Sequence, residues 1–227
     1  MTDELRRDAL SCYGNTFAKT PNIDKLADSG QLFTNAYTPS PICVPARASI
    51  ATGQYVHENR CWTNAMPYSG QFRSWHHELR ENNRDIISIG KLHFKNSEKA
   101  NGFSKEILPL HVKDGKGWIH GLLRERTDLF DASKFALNIG PGEDSYTSYD
   151  RKVCKLTQEW LTNNGVKKPY GGWCLFVSFL RPHYPLTCPS KFYELYNPNE
   201  LPKPRQLSDE AELERSEERR VGKECER

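Results

Sequence analysis

Apolar residues along this chain fall in short clusters separated by polar, Gly- and Pro-containing stretches. Thr20-Pro21-Asn22-Ile23-Asp24 has the form of a helix start, because Thr20 is a capping residue and Pro21 suits the first helical position. Ile23, Leu26 and Ala27 make one apolar face, and Gly30 stops the helix. Leu32 to Tyr37 reads as a strand. Pro39, Pro41 and Pro45 keep the next stretch extended until a helix begins just after Cys43 and ends near Gly53. Ile86-Ile87-Ser88-Ile89-Gly90 reads as a short buried strand. Residues 95–148 carry no clear period and read mostly as loop and insertion. Val153, Leu156, Trp160 and Leu161 lie on one face of a helix starting near Asp150. Trp173 to Leu180 is a continuous apolar run, the mark of a strand buried on both faces. Residues 197–205 are Pro-rich and read as a surface crossing. Helices alternating with buried strands predict an α/β fold with a largely parallel sheet.

Composition narrows the function classes. The 227 residues carry a net charge of +3, too small and too dispersed to argue for nucleic acid as a partner. No apolar run reaches the ~18 residues of a membrane span. Seven cysteines, at positions 12, 43, 61, 154, 174, 188 and 225, include no Cys-x-x-Cys pair and suggest neither a disulfide framework nor a zinc site. Scattered thiols of this kind suit a reducing compartment, so a cytoplasmic location is expected, with most of them buried as apolar fillers.

The chemistry concentrates in Cys43-Val44-Pro45-Ala46-Arg47-Ala48-Ser49-Ile50-Ala51-Thr52-Gly53. Cys-x-Pro-x-Arg alone arises by chance in roughly one chain of this length in a hundred, and the Thr52–Gly53 pair narrows it further. A cysteine-dependent phosphatase is excluded, since its phosphate cradle needs five residues between Cys and Arg, and this chain has three. The run resembles the signature of the type I, formylglycine-dependent sulfatases, within the alkaline-phosphatase superfamily. The segments Thr20–Gly30, 43–53, 90–93 and 178–196 fall in that family's order and look most like bacterial choline-sulfatase-like and sulfatase-like hydrolases.

The resemblance carries implications residue by residue. The fold implied is an alkaline-phosphatase-like α/β sandwich, a large, mostly parallel sheet flanked by helices and truncated at both ends. Cys43 is implied to be oxidised to formylglycine by a formylglycine-generating or anaerobic sulfatase-maturating enzyme. The aldehyde hydrate would be the nucleophile toward a small sulfated substrate, and Arg47 would hold that hydrate. Asp3 and Glu4 resemble the first half of a divalent metal site shared with position 43, calcium before magnesium or manganese. In Gly90-Lys91-Leu92-His93, Lys91 is implied to bind sulfate oxygens and His93 to take a proton from the hydrate. His183, in Arg181-Pro182-His183-Tyr184-Pro185, resembles the substrate-binding His that protonates the leaving oxygen. Asn64 resembles a substrate contact of the choline-sulfatase and phosphonate-hydrolase branch. Hydrolysis of a sulfate monoester follows, with a phosphonate or phosphate ester hydrolase of the same superfamily as the alternative. An inactive fragment lacking the second half of the metal site is the other alternative. Residues 1–214 read as the N-terminal part of a catalytic domain. Residues 215–227 resemble an in-frame translation of a sequencing adapter and read as a non-native tail. Met1 reads as an internal methionine, with a strand expected before it. Oligomeric state is not legible.

Overall fold

The computed structural model describes residues 1–97, 101–117, 139–165 and 172–201. Its centre is a three-stranded parallel sheet in the order β2 (Lys105–Leu110), β1 (Asp85–Lys91), β4 (Trp173–Ser178). The sequence expectation of an α/β fold with a parallel sheet holds. β1 lies in the middle and is buried from its second residue to its last. Its side chains alternate between two apolar clusters, as the two-residue period of a strand requires. Ile86 points into one cluster, with Ala48 and Ala51 of α2 (Cys43–Thr52), Tyr68, Phe94 and Phe103, and with Trp75 and Leu79 of α4 (Trp75–Glu81) packed against it. Ile87 and Ile89 point into the other, with Val153, Leu156 and Trp160 of α5 (Ser145–Trp160). Helices therefore cover both faces of the sheet.

Gly90 shows how tightly β1 is held. Its φ is +103°, and an added Cβ would lie 2.1 Å from the Ser178 carbonyl oxygen and 3.2 Å from a methyl of Val153. Only glycine fits there without displacing β4 or α5.

The remaining elements are short: α1 (Pro21–Ser29), α3 (Val56–Asn59), a two-stranded parallel pair of β3 (Gly140–Pro141) with β5 (Thr187–Cys188), and α6 (Ser190–Tyr193). The unit containing all of these ends at Tyr193. A second unit begins at Glu194 and is described only to Leu201, where Pro198–Glu200 form one 3-10 turn. The boundary expected at 214 and the tail expected over 215–227 lie outside the described residues.

Several expectations are corrected. β2 lies inside the stretch read as loop. Pro109 and the charged pair Lys105–Glu106 hid it, and both suit the edge position it takes. α5 starts at Ser145 rather than near Asp150, because the Asp144 carboxylate accepts the Thr147 N–H at 2.9 Å and caps it. β4 is only half-buried along most of its length. On the side away from β1 its described partner is Met1, whose amino group donates to Val177 O (2.8 Å) and whose carbonyl accepts from Phe179 N (3.0 Å). Among the described residues Leu32–Tyr37 pairs into no sheet, and Phe33 and Tyr37 are exposed. α1 forms as read and stops at Gly30, but Ile23 and Leu26 face solvent. Thr20 does not cap it by side chain; its hydroxyl instead donates to Asp24 at 3.0 Å. The six described cysteines are free thiols, and of these only Cys61 is fully buried. No helix among the described residues is long and apolar enough to cross a membrane.

His76 is a buried imidazole inside the first cluster. Its ring stacks on Phe103 at 4.0 Å, and Nδ1 donates to Asn101 O at 3.1 Å. Burial lowers its pKa from 6.5 to about 4. As pH falls, the unfolded chain takes up this proton first, so the stability from neutral His76 is complete above about 6.5 and is lost toward about 4. We expect the melting temperature to fall through that window, with a slope of at most about 1.4 kcal/mol per pH unit from this residue. His76→Asn, which keeps a donor for Asn101, should melt lower at neutral pH but with a shallower acid slope. An unchanged slope in thermal melts would remove His76 as the cause.

Candidate active site

The C-terminal ends of β1 and β4 meet the first residues of the chain and the N-terminus of α2. Open α/β sheets place their ligands at this end of the strands. Lys91 is the last residue of β1, Ser178 the last of β4, and Cys43 the first of α2. The sequence brings each there by a local rule: a strand end, a polar residue closing an apolar run, and a Pro inside the first helical turn.

Asp3 joins these ends. It is 4% exposed, between Lys91 and Arg47, each 3% exposed. One carboxylate oxygen pairs with the Lys91 ammonium and the other lies 3.4 Å from Arg47 Nη2. Burial alone would raise the Asp3 carboxyl; Lys91, and then Arg47, more than offset it and hold it below its ordinary value. Arg47 also donates from Nη1 to Lys91 O (2.5 Å) and from both Nη atoms to Ser178 Oγ (3.2 Å). Its fork is thus committed to Asp3, Ser178 and the end of β1, rather than aimed at position 43 as the sequence reading expected. Its Nε is buried without a partner.

Cys43 is half-buried beside this cluster. Burial pushes its thiol pKa up; Asp3 and Glu4 push the same way, while Lys91 and Arg47 oppose. One ligand atom each from Asp3, Cys43 and His183 lie within 4.8 Å of one another. Sequence reasoning gave His183 a substrate role only, and its place in this possible metal-holding group was not legible. Glu4 is exposed, takes a φ of +59°, and brings a carboxylate oxygen to 3.3 Å from His183 Nε2. His183 Nδ1 lies 2.7 Å from Tyr184 O. A carbonyl oxygen only accepts, so Nδ1 carries the proton and Nε2 faces Glu4.

His93 is electrostatically part of the same cluster. Burial, then the Lys91 and Arg47 charges, lower its pKa to about 3, so it is neutral at working pH. Its Nδ1 is buried without a partner. Asn64 stands at the start of α2, where its side-chain oxygen accepts Val44 N–H at 3.0 Å. Gly117 abuts this segment so closely that a Cβ would lie 1.9 Å from Asn64 O. Ser178 and the rings of Tyr184 and Tyr146, 4.1 and 5.8 Å from the His183 ring, are site residues that sequence reasoning missed. Ser178, a lone hydroxyl in an apolar run, was the one readable signal among them.

The Asn64 contact satisfies an otherwise orphaned helix donor. We expect Asn64→Ala to lower stability by about 1 kcal/mol and Asn64→Asp, which keeps the acceptor and suits the helix dipole, to preserve it. Denaturant or thermal melts of the two variants decide this, and equal stability in Asn64→Ala would show that the cap contributes nothing.

Comparison with known proteins agrees with this geometry. The family model named Sulfatase matches residues 1–206. A choline-sulfatase of Rhizobium meliloti (strain 1021) is 30% identical over 207 residues, covering 86% of this chain and 40% of that protein. An arylsulfatase of Clostridium perfringens (strain 13 / Type A) is 29% identical over 233 residues, covering 90% of this chain and 46% of that protein. The fold matches that of the phosphonate monoester hydrolase of Agrobacterium radiobacter with a TM-score of 0.63 at 24% identity, covering 89% of this chain and 44% of that one. The chain spans less than half the length of these relatives. With a helix-started Cys-x-Pro-x-Arg set against a buried Asp–Lys–Arg cluster and a family match over nearly its whole described length, the chain belongs to the sulfatase family.

Proposed function

We propose that the protein hydrolyses sulfate monoesters, using formylglycine made from Cys43 and a divalent metal held at Asp3 and Glu4. The observation that carries this reading is the setting of Cys43. A nucleophilic thiol needs a lowered pKa, whereas burial and two carboxylates push this one up. The surroundings suit a neutral hydroxyl better than a thiolate. The aldehyde hydrate supplies two hydroxyls, one to attack sulfur and one whose deprotonation expels sulfate.

The chain's own residues divide the remaining work. The buried cluster holds two cations against one carboxylate, and that excess of positive charge favours an anionic ester. The N-terminus of α2 adds to it. Lys91, paired with Asp3 at the end of β1, would bind the ester oxygens. His93, unprotonated and with Nδ1 unpartnered, would take the proton from the second hydroxyl, although burial and the two cations make it a weak base. His183, in its protonated form, would pass the Nε2 proton to the leaving alcohol oxygen. Asn64 supports the turn in which residue 43 stands and borders the substrate.

The donor set fits a hard cation. Two carboxylates, Asp3 and Glu4, stand beside position 43, where a hydrate oxygen would replace Sγ. Calcium is the first candidate, with magnesium or manganese after it; the ion would screen repulsion between residue 43 and the ester oxygens. A formylglycine-generating or anaerobic sulfatase-maturating enzyme is the implied partner, and the free thiols favour a cytoplasmic site of action. A phosphonate or phosphate ester would suit the same cradle, as the phosphonate hydrolase fold match suggests, but the family model favours sulfate.

Mass spectrometry of the peptide carrying residue 43, after expression with a maturating enzyme, should show the aldehyde. Hydrolysis of an aryl sulfate should outpace that of an aryl phosphonate diester. Cys43→Ala should reduce it on the order of 10⁴-fold or more. An unmodified thiol, or a faster phosphonate reaction, would sink the sulfatase reading. Millimolar calcium should also raise the melting temperature, and Asp3→Asn should abolish that response. No shift in the parent chain would favour the inactive-fragment alternative.

A further inference from the structure

His183 is carried by the connection from β4 to β5, which contains no helix or strand of its own. A side chain asked to deliver a proton at one atom needs a firmer support than an irregular connection offers. Phe179, Arg181, Pro182 and Leu186 of this connection border a cavity of about 680 Å³.

The support comes from Arg181. Nη1 donates to His183 O at 3.0 Å and also to Pro185 O. Nη2 donates to Asp144 at 2.5 Å, Thr187 Oγ1 at 3.0 Å and Thr147 Oγ1 at 3.2 Å. Thr187 in turn donates to the same Asp144 oxygen at 2.6 Å. One guanidinium therefore ties the His183 backbone to the first residues of α5 and to β5. From the same helix, Asp150 accepts the Leu180 and Arg181 amides at 2.8 and 2.9 Å. The guanidinium carbon also lies 5.9 Å from the centre of the Tyr146 ring, which flanks the His183 ring.

We propose that Arg181 is a positioning residue: with Asp144 and Thr187 it sets the turn in which His183 Nδ1–H is tied to Tyr184 O, leaving Nε2 directed at Glu4. The role of that Nε2 in ester cleavage rests on the function proposed above; the positioning itself does not. The planar fork is essential to the device, since it reaches the backbone carbonyls and the Asp144 carboxylate at once. A lysine supplies charge without that span.

The test uses the complete, matured protein with Arg181→Ala, Arg181→Lys and Asp144→Asn, each alone and with His183→Ala. Long-range proton–nitrogen NMR of the His183 ring reads the tautomer without reference to activity. The parent protein should show the Nδ1–H form, and Arg181→Ala should relax it toward the mixture of a free imidazole. On an aryl sulfate, Arg181→Ala should lower kcat on the order of 10²-fold with a smaller change in KM, and Arg181→Lys should fall between. Added to His183→Ala, Arg181→Ala should cost little more. Retention of the Nδ1–H tautomer in Arg181→Ala, or losses that multiply in the double variant, would overturn the proposal. Should Arg181→Ala fail to fold, Asp144→Asn decides by the same two readouts. If the parent protein hydrolyses no sulfate ester, the function reading fails while the tautomer still decides the positioning.

Discussion

Everything in this site depends on one buried carboxylate between two cations. Asp3, Lys91 and Arg47 are each less than 5% exposed, and they come from three separate parts of the chain. Removing one partner from such a group costs about 3–5 kcal/mol, because it strands a charge away from water. The arrangement thus fixes the start of the chain against the end of β1 and the first turn of α2. It also leaves the group one positive charge in excess. That surplus lies beside Cys43 and at a helix N-terminus, where an anion is already favoured. Structural support and the excess positive charge have the same origin.

The fold brings these charges together through close contact around β1. Gly90 lets β4 and α5 approach the strand's end, so that Lys91 and Ser178 finish side by side. Arg47 then bridges them, donating to the backbone of one and the hydroxyl of the other. α5 serves the opposite wall, its Asp144 and Asp150 holding the connection that carries His183. A shift of β1 by one residue would point Lys91 away from Asp3, since side chains alternate along a strand.

The sequence was most legible where chemistry imposes fixed spacing. Cys43 and Arg47, one helical turn apart, and Lys91 and His183, just beyond apolar runs, could be placed without coordinates. α2 could also be bounded almost to the residue, because Pro45 and Gly53 mark its first turn and its end. What failed was whatever tertiary contact decides. β2 contains a proline and two charges, and it is a strand only because the edge of β1 accepts it. Leu32–Tyr37 has the composition of a strand but finds no such edge among the described residues. The apolar face of α1 was read correctly as a pattern, yet burial needs a partner, and Ile23 and Leu26 have none among the described residues. Likewise the destination of Arg47's fork was hidden, because Ser178 was one serine among many until β4 was placed.

The same cluster bears on which form of residue 43 can work here. Thiol chemistry would demand stabilisation of a sulfur anion, and two cations lie nearby. They do lower the thiol's pKa, but burial outweighs them and the net effect is an upward shift. A hydrated aldehyde makes the opposite demand. It is neutral, it needs a base for its second hydroxyl, and it tolerates a dry setting. In the proposed mechanism His93 would be that base: burial, then Lys91 and Arg47, keep it unprotonated, with one ring nitrogen unpartnered. In the proposed mechanism the charges that would favour an anionic ester also weaken His93 as a base, so binding and proton removal are set against each other through the same Lys91–Arg47 pair.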